Sequence, residues 1–186
     1  KSVTATLAQP MTAIEPRLKT TYQEIDLKLG TLPAAEQIEK DLASTDRFVA
    51  SRARWLRQQM EGGKPLSATY PYPVQTWRLG KDVQWVTLGG EVVVDFALRL
   101  KGVQPKDGQS KENQSKENQS TGSQLSKSTW VAGYMNDVMA YIPSRRVLME
   151  GGYEGAGAMV YYGLPTAWST DVEEQIIAEV QRQLRQ

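Results

Sequence analysis

The sequence predicts a mixed α/β fold, with strands and helices alternating in layers. Three observations carry that prediction. Residues 17–29 (RLKTTYQEIDLKL) alternate apolar and polar positions, with Ile25, Leu27 and Leu29 on one face, which is strand periodicity. Residues 34–61 read as helix in two pieces, ending before Gly62-Gly63. Near the end, Val172, Ile176, Ile177, Val180 and Leu184 recur at helical spacing and make one apolar stripe. Strands and helices in alternation bury their apolar faces against one another as layers.

The elements follow in order. Residues 1–16 hold Pro10 and Pro16 and read as an extended entry segment. Gly30 and Pro33 break the strand at 17–29. Ser44 or Thr45 is the expected cap of the second helical piece. That piece carries Arg47, Arg52, Arg54 and Arg57, a solvated basic face or a contact for phosphate or a partner. Pro71 and Pro73 impose extended backbone. Residues 74–79 and 83–88 form a strand pair around Gly80-Lys81-Asp82. After Gly89-Gly90-Glu91, the stretch 92–101 (VVVDFALRLK) reads as helix. Residues 102–128 are a polar insertion with two copies of SKENQ, at 110–114 and 115–119. Such a repeat has no face to bury, so a mobile surface loop, dispensable for folding over 106–126, is expected. Residues 129–134 (TWVAGY) read as a strand. Thr170-x-x-Glu173 has the form of a capping box opening the last helix, which runs to about residue 184.

A chain of 186 residues is enough for one domain with a real core. The formal charge of +1, from 22 basic and 21 acidic side chains, argues against a dedicated nucleic-acid binder. No apolar run approaches the roughly 18 residues that suggest a membrane span. The first twenty residues lack the basic and apolar regions of a signal peptide. The chain starts at Lys1, as a processed product, a trimmed chain or a fragment would. It contains no Cys and no His. The absence of Cys removes thiolate chemistry. The absence of His removes the commonest metal ligand and the usual general base near neutrality. A hydrolase built from these residues has to use carboxylates, Lys or Tyr.

Two segments can carry chemistry. In Leu88-Gly89-Gly90-Glu91 a strand runs into two glycines and then a carboxylate, at the strand end where open α/β sheets place their sites. The glycines permit a tight turn or close approach of a ligand. A Glu at a helix start also simply suits the helix dipole. The second segment runs from Gly133-Tyr134-Met135-Asn136-Asp137 to Gly151-Gly152-Tyr153-Glu154-Gly155. Five of the eight tyrosines fall between 134 and 162, and four of the six methionines between 135 and 159. Tyrosines in a glycine-rich loop can stabilise an oxyanion or ligate a metal. Methionines give an adaptable apolar surface. Core packing with satisfied hydroxyls is the structural alternative.

Taken together, the two segments resemble the neutral ceramidases, zinc amidohydrolases that cleave the amide of N-acylsphingosines. That family has a Gly-Glu motif followed by a helix, then Asn-x-x-x-x-Tyr-(Val/Ile), then Tyr-Glu-Gly. The matching residues are Gly90-Glu91, then Asn136 through Tyr141-Ile142, then Tyr153-Glu154-Gly155. The resemblance is strongest over 70–165 and reaches back more weakly to about 17. It implies that residues 1–186 are a single incomplete domain, the later portion of a ceramidase-like catalytic domain. It implies Glu91 and Tyr141 as zinc ligands, and Tyr153 beside the scissile amide as the group that stabilises the tetrahedral intermediate. The family's two His ligands and catalytic Ser segment lie upstream and match nothing in this chain. The implied partners are therefore the upstream part of the same domain and a lipid-like amide substrate, with no nucleic acid.

The chain departs from the family where Val92-Val93-Val94 replaces hydroxyl residues, and where Pro143 through Leu148 replaces Thr-Thr-x-Glu-Glu-Tyr. This reads as a divergent bacterial-type branch. Secretion, a periplasmic location or membrane association is suggested by the resemblance alone. The rival expectation is a non-catalytic binding or structural module with an apolar Tyr/Met-rich loop. On the hydrolase reading, Glu91 and Tyr141 must meet despite the 50 residues between them, and Tyr153 must face the same space.

Overall fold

The computed structural model describes residues 2–102 and 128–186. The SKENQ repeat and the predicted dispensable stretch 106–126 lie outside the described residues.

The architecture is mixed α/β, as the alternating periodicities predict. A short helix α1 (Ser2–Leu7) opens the chain, where an extended entry is expected. Pro10 is the first residue to forbid helix, and the six residues of α1 bury nothing. Strand β1 (Leu18–Lys28) follows, then the helical pair α2 (Ala35–Leu42) and α3 (Arg47–Glu61). The cap of α3 is Asp46 rather than Ser44 or Thr45. Its carboxylate accepts from Phe48 N at 2.8 Å and Val49 N at 3.4 Å, while Ser44 Oγ accepts from Asp46 N one step earlier.

Strands β2 (Thr69–Leu79) and β3 (Val83–Leu88) form the hairpin around Gly80. With β1 and β5 (Ser128–Ala132) they make a four-stranded sheet ordered β1-β2-β3-β5. The first two pairings are antiparallel and the third is parallel. β2 begins earlier than expected and contains Pro71 and Pro73. β3 pairs with β2 only from Val74 onward, so both prolines lie where β2 has a strand on the β1 side alone. A missing N–H is tolerated at such an edge.

Beyond Gly89-Gly90 the chain leaves this sheet. Strand β4 (Glu91–Val92) pairs in parallel with β6 (Tyr141–Ile142) in a second sheet of two strands. Helix α4 (Val94–Leu100) follows β4, and α5 (Arg145–Glu150) follows β6. Helix α6 (Gly152–Gly155), a 3₁₀ helix (Gly157–Tyr162) and α7 (Val172–Leu184) complete the chain.

α7 seals one face of the large sheet. Its stripe of Val172, Ile176, Ile177, Val180 and Leu184 is buried with Leu27, Tyr72, Val74, Val86 and Leu88. Full burial of each such aliphatic side chain contributes about 1.5–3 kcal/mol relative to exposure. The buried Gln183 adds a polar tie, donating to Val74 O at 2.9 Å. The capping box is not formed: Glu173 turns away to accept from Arg99 Nη1 and Arg145 N, both at 2.8 Å. On the other face of the sheet, Trp77, Trp85 and Trp130 stand in register across β2, β3 and β5.

Candidate functional site

The site is built where the two-stranded sheet begins. Gly90 makes the step possible, because its φ of +65° is one that L side chains rarely adopt. A Cβ there would lie 2.5 Å from Met139 O and 2.7 Å from Ala140 O, so only glycine fits. The buried Tyr72 hydroxyl donates to Gly89 O at 2.8 Å and fixes the same turn. The chain then runs straight into the β4–β6 ladder, with Glu91 N donating to Ala140 O at 2.9 Å and Val93 N to Ile142 O at 3.2 Å. Glu91 therefore lies on a strand. It is not at the helix start that the sequence suggests, because the ladder holds the backbone extended until Val93 caps α4.

The register pairs Glu91 with Tyr141, so residues 50 apart in sequence become neighbours. Both are half-buried. A hydrogen bond to the Glu91 carboxylate pushes the Tyr141 phenol up to about 12, aided by burial and by the Glu91 charge. A second phenol does the same: Tyr134 hydrogen-bonds Glu91 and is also pushed up to about 12. Sequence reasoning picks out the tyrosine-rich stretch but not this member of it. Tyr134 has a left-handed φ of +58°, and Tyr134 N donates to Gly90 O at 2.8 Å. A left-handed turn at a non-glycine residue leaves no periodic trace in a sequence.

Tyr153 sits on α6, reached through Gly151 (φ +75°) and Gly152 (φ +74°). Its ring meets that of Tyr141 edge-on, with centroids 5.3 Å apart. Tyr161 follows at 6.0 Å from Tyr153, and Phe48 of α3 at 4.6 Å from Tyr161. An aromatic file thus leads from Glu91 to α3. Met135, Val138 and Met149 are exposed along the same 134–162 stretch. Of the sequence-predicted residues, the structure brings Glu91, Tyr141 and Tyr153 together and adds Tyr134.

Side chains hold the two helices that leave this corner. Ser144 caps α5, accepting from Val147 N at 3.3 Å, and donates its hydroxyl to Asp95 of α4 at 2.5 Å. Arg146 donates to the same carboxylate at 3.0 Å. Burial opposes the Asp95 charge, but the bonds from Ser144 and Arg146 outweigh it and hold the carboxyl below its ordinary range. The residues that depart from the ceramidase pattern therefore have local work. Ser144 and Arg146 tie α5 to α4, and Val92 and Val93 carry the strand into the helix.

Of the four arginines of α3, two are held in ion pairs and Arg54 donates to Ala50 O. Arg52 pairs with Asp41, Arg57 with Glu39 and Glu61, and the Arg47 guanidinium lies 4.5 Å from the centre of the Phe48 ring. An open groove of about 440 Å³ lies between α2 and α3, lined by Ile38, Glu39, Arg57 and Met60 among others; it is separate from Glu91 and its phenols. Among the described residues, no three of His, Cys, Asp and Glu are grouped to hold a metal, and no helix is long and apolar enough to cross a membrane. Comparison of the chain with protein-family models, curated proteins and solved structures gives no match.

Proposed function

We propose that this chain supplies part of the metal site of a zinc-dependent amidohydrolase similar to the neutral ceramidases, acting on a lipid-like N-acyl amide. The observation that supports this reading is the parallel β4–β6 pairing, which sets the Glu91 carboxylate beside the Tyr141 phenol and the Tyr153 ring against Tyr141.

The donor set suits zinc in kind. A carboxylate and two phenols converge, and oxygen is an accepted zinc donor. Glu91 and Tyr141 would hold the ion. A phenol ligates best after losing its proton, and a divalent cation at Glu91 would reverse the electrostatic effect that now raises both phenols. When bound, zinc supplies Lewis-acid polarisation of the amide carbonyl and acidification of a water. In the hydrolysis, water adds to the carbonyl carbon, the C–N bond breaks, and the amine departs with a proton from that water. The exposed Tyr153 hydroxyl would donate a hydrogen bond to the oxygen of the tetrahedral intermediate. The aromatic file would offer the acyl chain an apolar path. A catalytic zinc takes three protein ligands with one position left open, and the nitrogen ligands come in this reading from the upstream part of the same domain.

The rival reading, a non-catalytic binding module, is favoured by the exposure of Tyr134, Met135, Val138 and Met149 in the same 134–162 stretch. The coding sequence ahead of Lys1 separates the two: spaced histidines there support the hydrolase, and a start codon at or near Lys1 supports the module. The biochemical test is hydrolysis of a fluorogenic N-acyl amide by the natural polypeptide with zinc. Activity that falls at least about 100-fold in Glu91→Ala supports the hydrolase. Activity indifferent to both Glu91→Ala and Tyr141→Phe rejects the assigned ligands.

A further inference from the structure

The β4–β6 ladder contains two residue pairs, Glu91↔Tyr141 and Val92↔Ile142. So short a parallel pair cannot set its own register. The loop that delivers Tyr141 is also strained, with positive φ at Tyr134 (+58°), Asn136 (+66°) and Ala140 (+60°). Such conformations persist where surrounding contacts over-determine them. Something outside the ladder must therefore hold residues 134–140 against Gly90.

Asp137 occupies the place where those contacts meet. Its Oδ2 accepts from the Tyr70 hydroxyl at 2.7 Å, its Oδ1 from Met139 N at 3.1 Å, and its main-chain oxygen from Gly90 N at 2.9 Å. Its Cβ lies 3.3 Å from where a side chain on Gly89 would begin, so the loop is pressed against the glycine pair. Tyr70 belongs to β2 and is paired with Leu27 of β1, which makes it part of the large sheet. Its ring meets Trp168 edge-on at 6.1 Å, and the Trp168 indole donates to Tyr141 O at 2.8 Å. The contacts close a circuit: Asp137 to Tyr70, Tyr70 to Trp168, Trp168 to Tyr141, and back through the loop to Asp137.

We infer that Asp137 is a positioning residue, which with Tyr70 clamps the 134–140 loop to the large sheet and so fixes the spacing of Glu91 and Tyr141. It touches neither of the two side chains. It acts on the backbone that precedes each, through Gly90 on one side and Met139 on the other. The consequence for catalysis rests on the amidohydrolase reading; the clamp itself does not.

The experiment compares Asp137→Ala, Asp137→Asn and Tyr70→Phe with the wild-type chain by native-state amide hydrogen exchange. The amides of Gly90, Glu91 and Val93 report the corner, and those of Val86 and Leu88 report the large sheet. In Asp137→Ala, exchange at the corner should rise at least about tenfold while Val86 and Leu88 hold their protection. Asp137→Asn keeps an acceptor oxygen and should recover most of the loss. Tyr70→Phe should reproduce the alanine effect in part, and combining it with Asp137→Ala should add little. Wild-type exchange at Gly90 and Glu91 in Asp137→Ala overturns the inference. An equal rise at the corner and at Val86 and Leu88 also overturns it, because Asp137 would then support only global stability. Activity gives the second readout. Asp137→Ala should lower kcat up to about 100-fold with KM within about twofold, because it displaces groups without contacting substrate. If the wild-type protein hydrolyses no amide, the proposed function fails while the exchange pattern still judges the clamp.

Discussion

The described residues form two parallel strand pairs, and they are held in different ways. β3 and β5 share five register pairs, from Val83↔Ser128 to Thr87↔Ala132, inside a sheet whose one face is sealed by α7. β4 and β6 share two, and none of their four residues belongs to the large sheet. The long pair is stabilised by burial, which is non-directional and spread over many side chains. The short pair depends on particular atoms: the missing Cβ of Gly90, the Asp137 carboxylate, the Trp168 indole and the Ser144 hydroxyl. The difference separates stability from geometry. Damage to the long pair should cost the whole fold, whereas damage to the short pair should cost the alignment of Glu91 with its phenols first.

The largest effect is expected where burial acts. Ile176 is fully buried in the core between α7 and the large sheet. Ile176→Ala removes that packing and leaves a cavity, and should cost about 3–5 kcal/mol in denaturant unfolding. The loss should appear as one cooperative transition. A second, separate transition would show that the two pairs unfold independently and would break the comparison.

Next comes Gly90→Ala. The substitution forces a side chain into the left-handed region and against two backbone oxygens, at 2.5 and 2.7 Å. The expected cost is about 2–4 kcal/mol by the same measurement. The effect should be directional as well. Tyrosine near-ultraviolet signals from the corner should change, while tryptophan signals from Trp77, Trp85 and Trp130 stay as they are. An unchanged midpoint would mean that the Gly90 turn is not constrained as described.

The same contrast explains what could be read from the sequence. The large sheet and the helix that covers it are legible because their signals are periodic: alternation in 17–29 marks β1, and the spacing of Val172, Ile176, Ile177, Val180 and Leu184 marks α7. The corner gave weaker signals. Gly89-Gly90 announced a turn and the Tyr-Gly-rich stretch announced unusual backbone, but β4 and β6 have two residues each and no period to detect. Glu91 consequently read as a helix start. Tyr134 stayed hidden because its approach to Glu91 depends on a left-handed residue. The capping box at Thr170 failed for a tertiary reason, since the Glu173 carboxylate is drawn to Arg99 and to the Arg145 amide.

A smaller effect is expected at Ser144, whose hydroxyl both caps α5 and donates to Asp95. Ser144→Ala should cost about 1–2 kcal/mol, most of it the lost cap together with the lost hydrogen bond to Asp95, whose oxygen keeps its bond from Arg146. Thermal or denaturant unfolding reads the cost. A Ser144→Thr variant, which retains a capping hydroxyl, should recover most of it. Equal loss in both variants would place the effect in packing rather than in the hydrogen bonds.

The smallest effect on stability, and the one most specific to the corner, is expected from the phenols. In the fold, Tyr134 and Tyr141 are pushed up to about 12 by hydrogen bonds to the Glu91 carboxylate, against an unfolded value near 10. A group whose folded value lies above its unfolded one holds its proton more tightly in the native state. Its stabilisation is therefore fully present below about pH 10 and is lost as the pH rises through about 12. Both phenols lie close to solvent, which screens the interaction, so the expected slope is shallow. In Glu91→Gln the carboxylate charge is gone while an acceptor oxygen remains. Ultraviolet titration of phenolate should then show two tyrosines moving down from about 12 toward 10, and the alkaline loss of stability should flatten. Tyr22, which donates to Glu24 and whose shift owes nothing to Glu91, should titrate as before and serves as the internal control. If only one phenol moves, Tyr134 and Tyr141 do not share the carboxylate. If neither moves, the short ladder does not bring these side chains together in solution, and the candidate site loses the contact on which it depends.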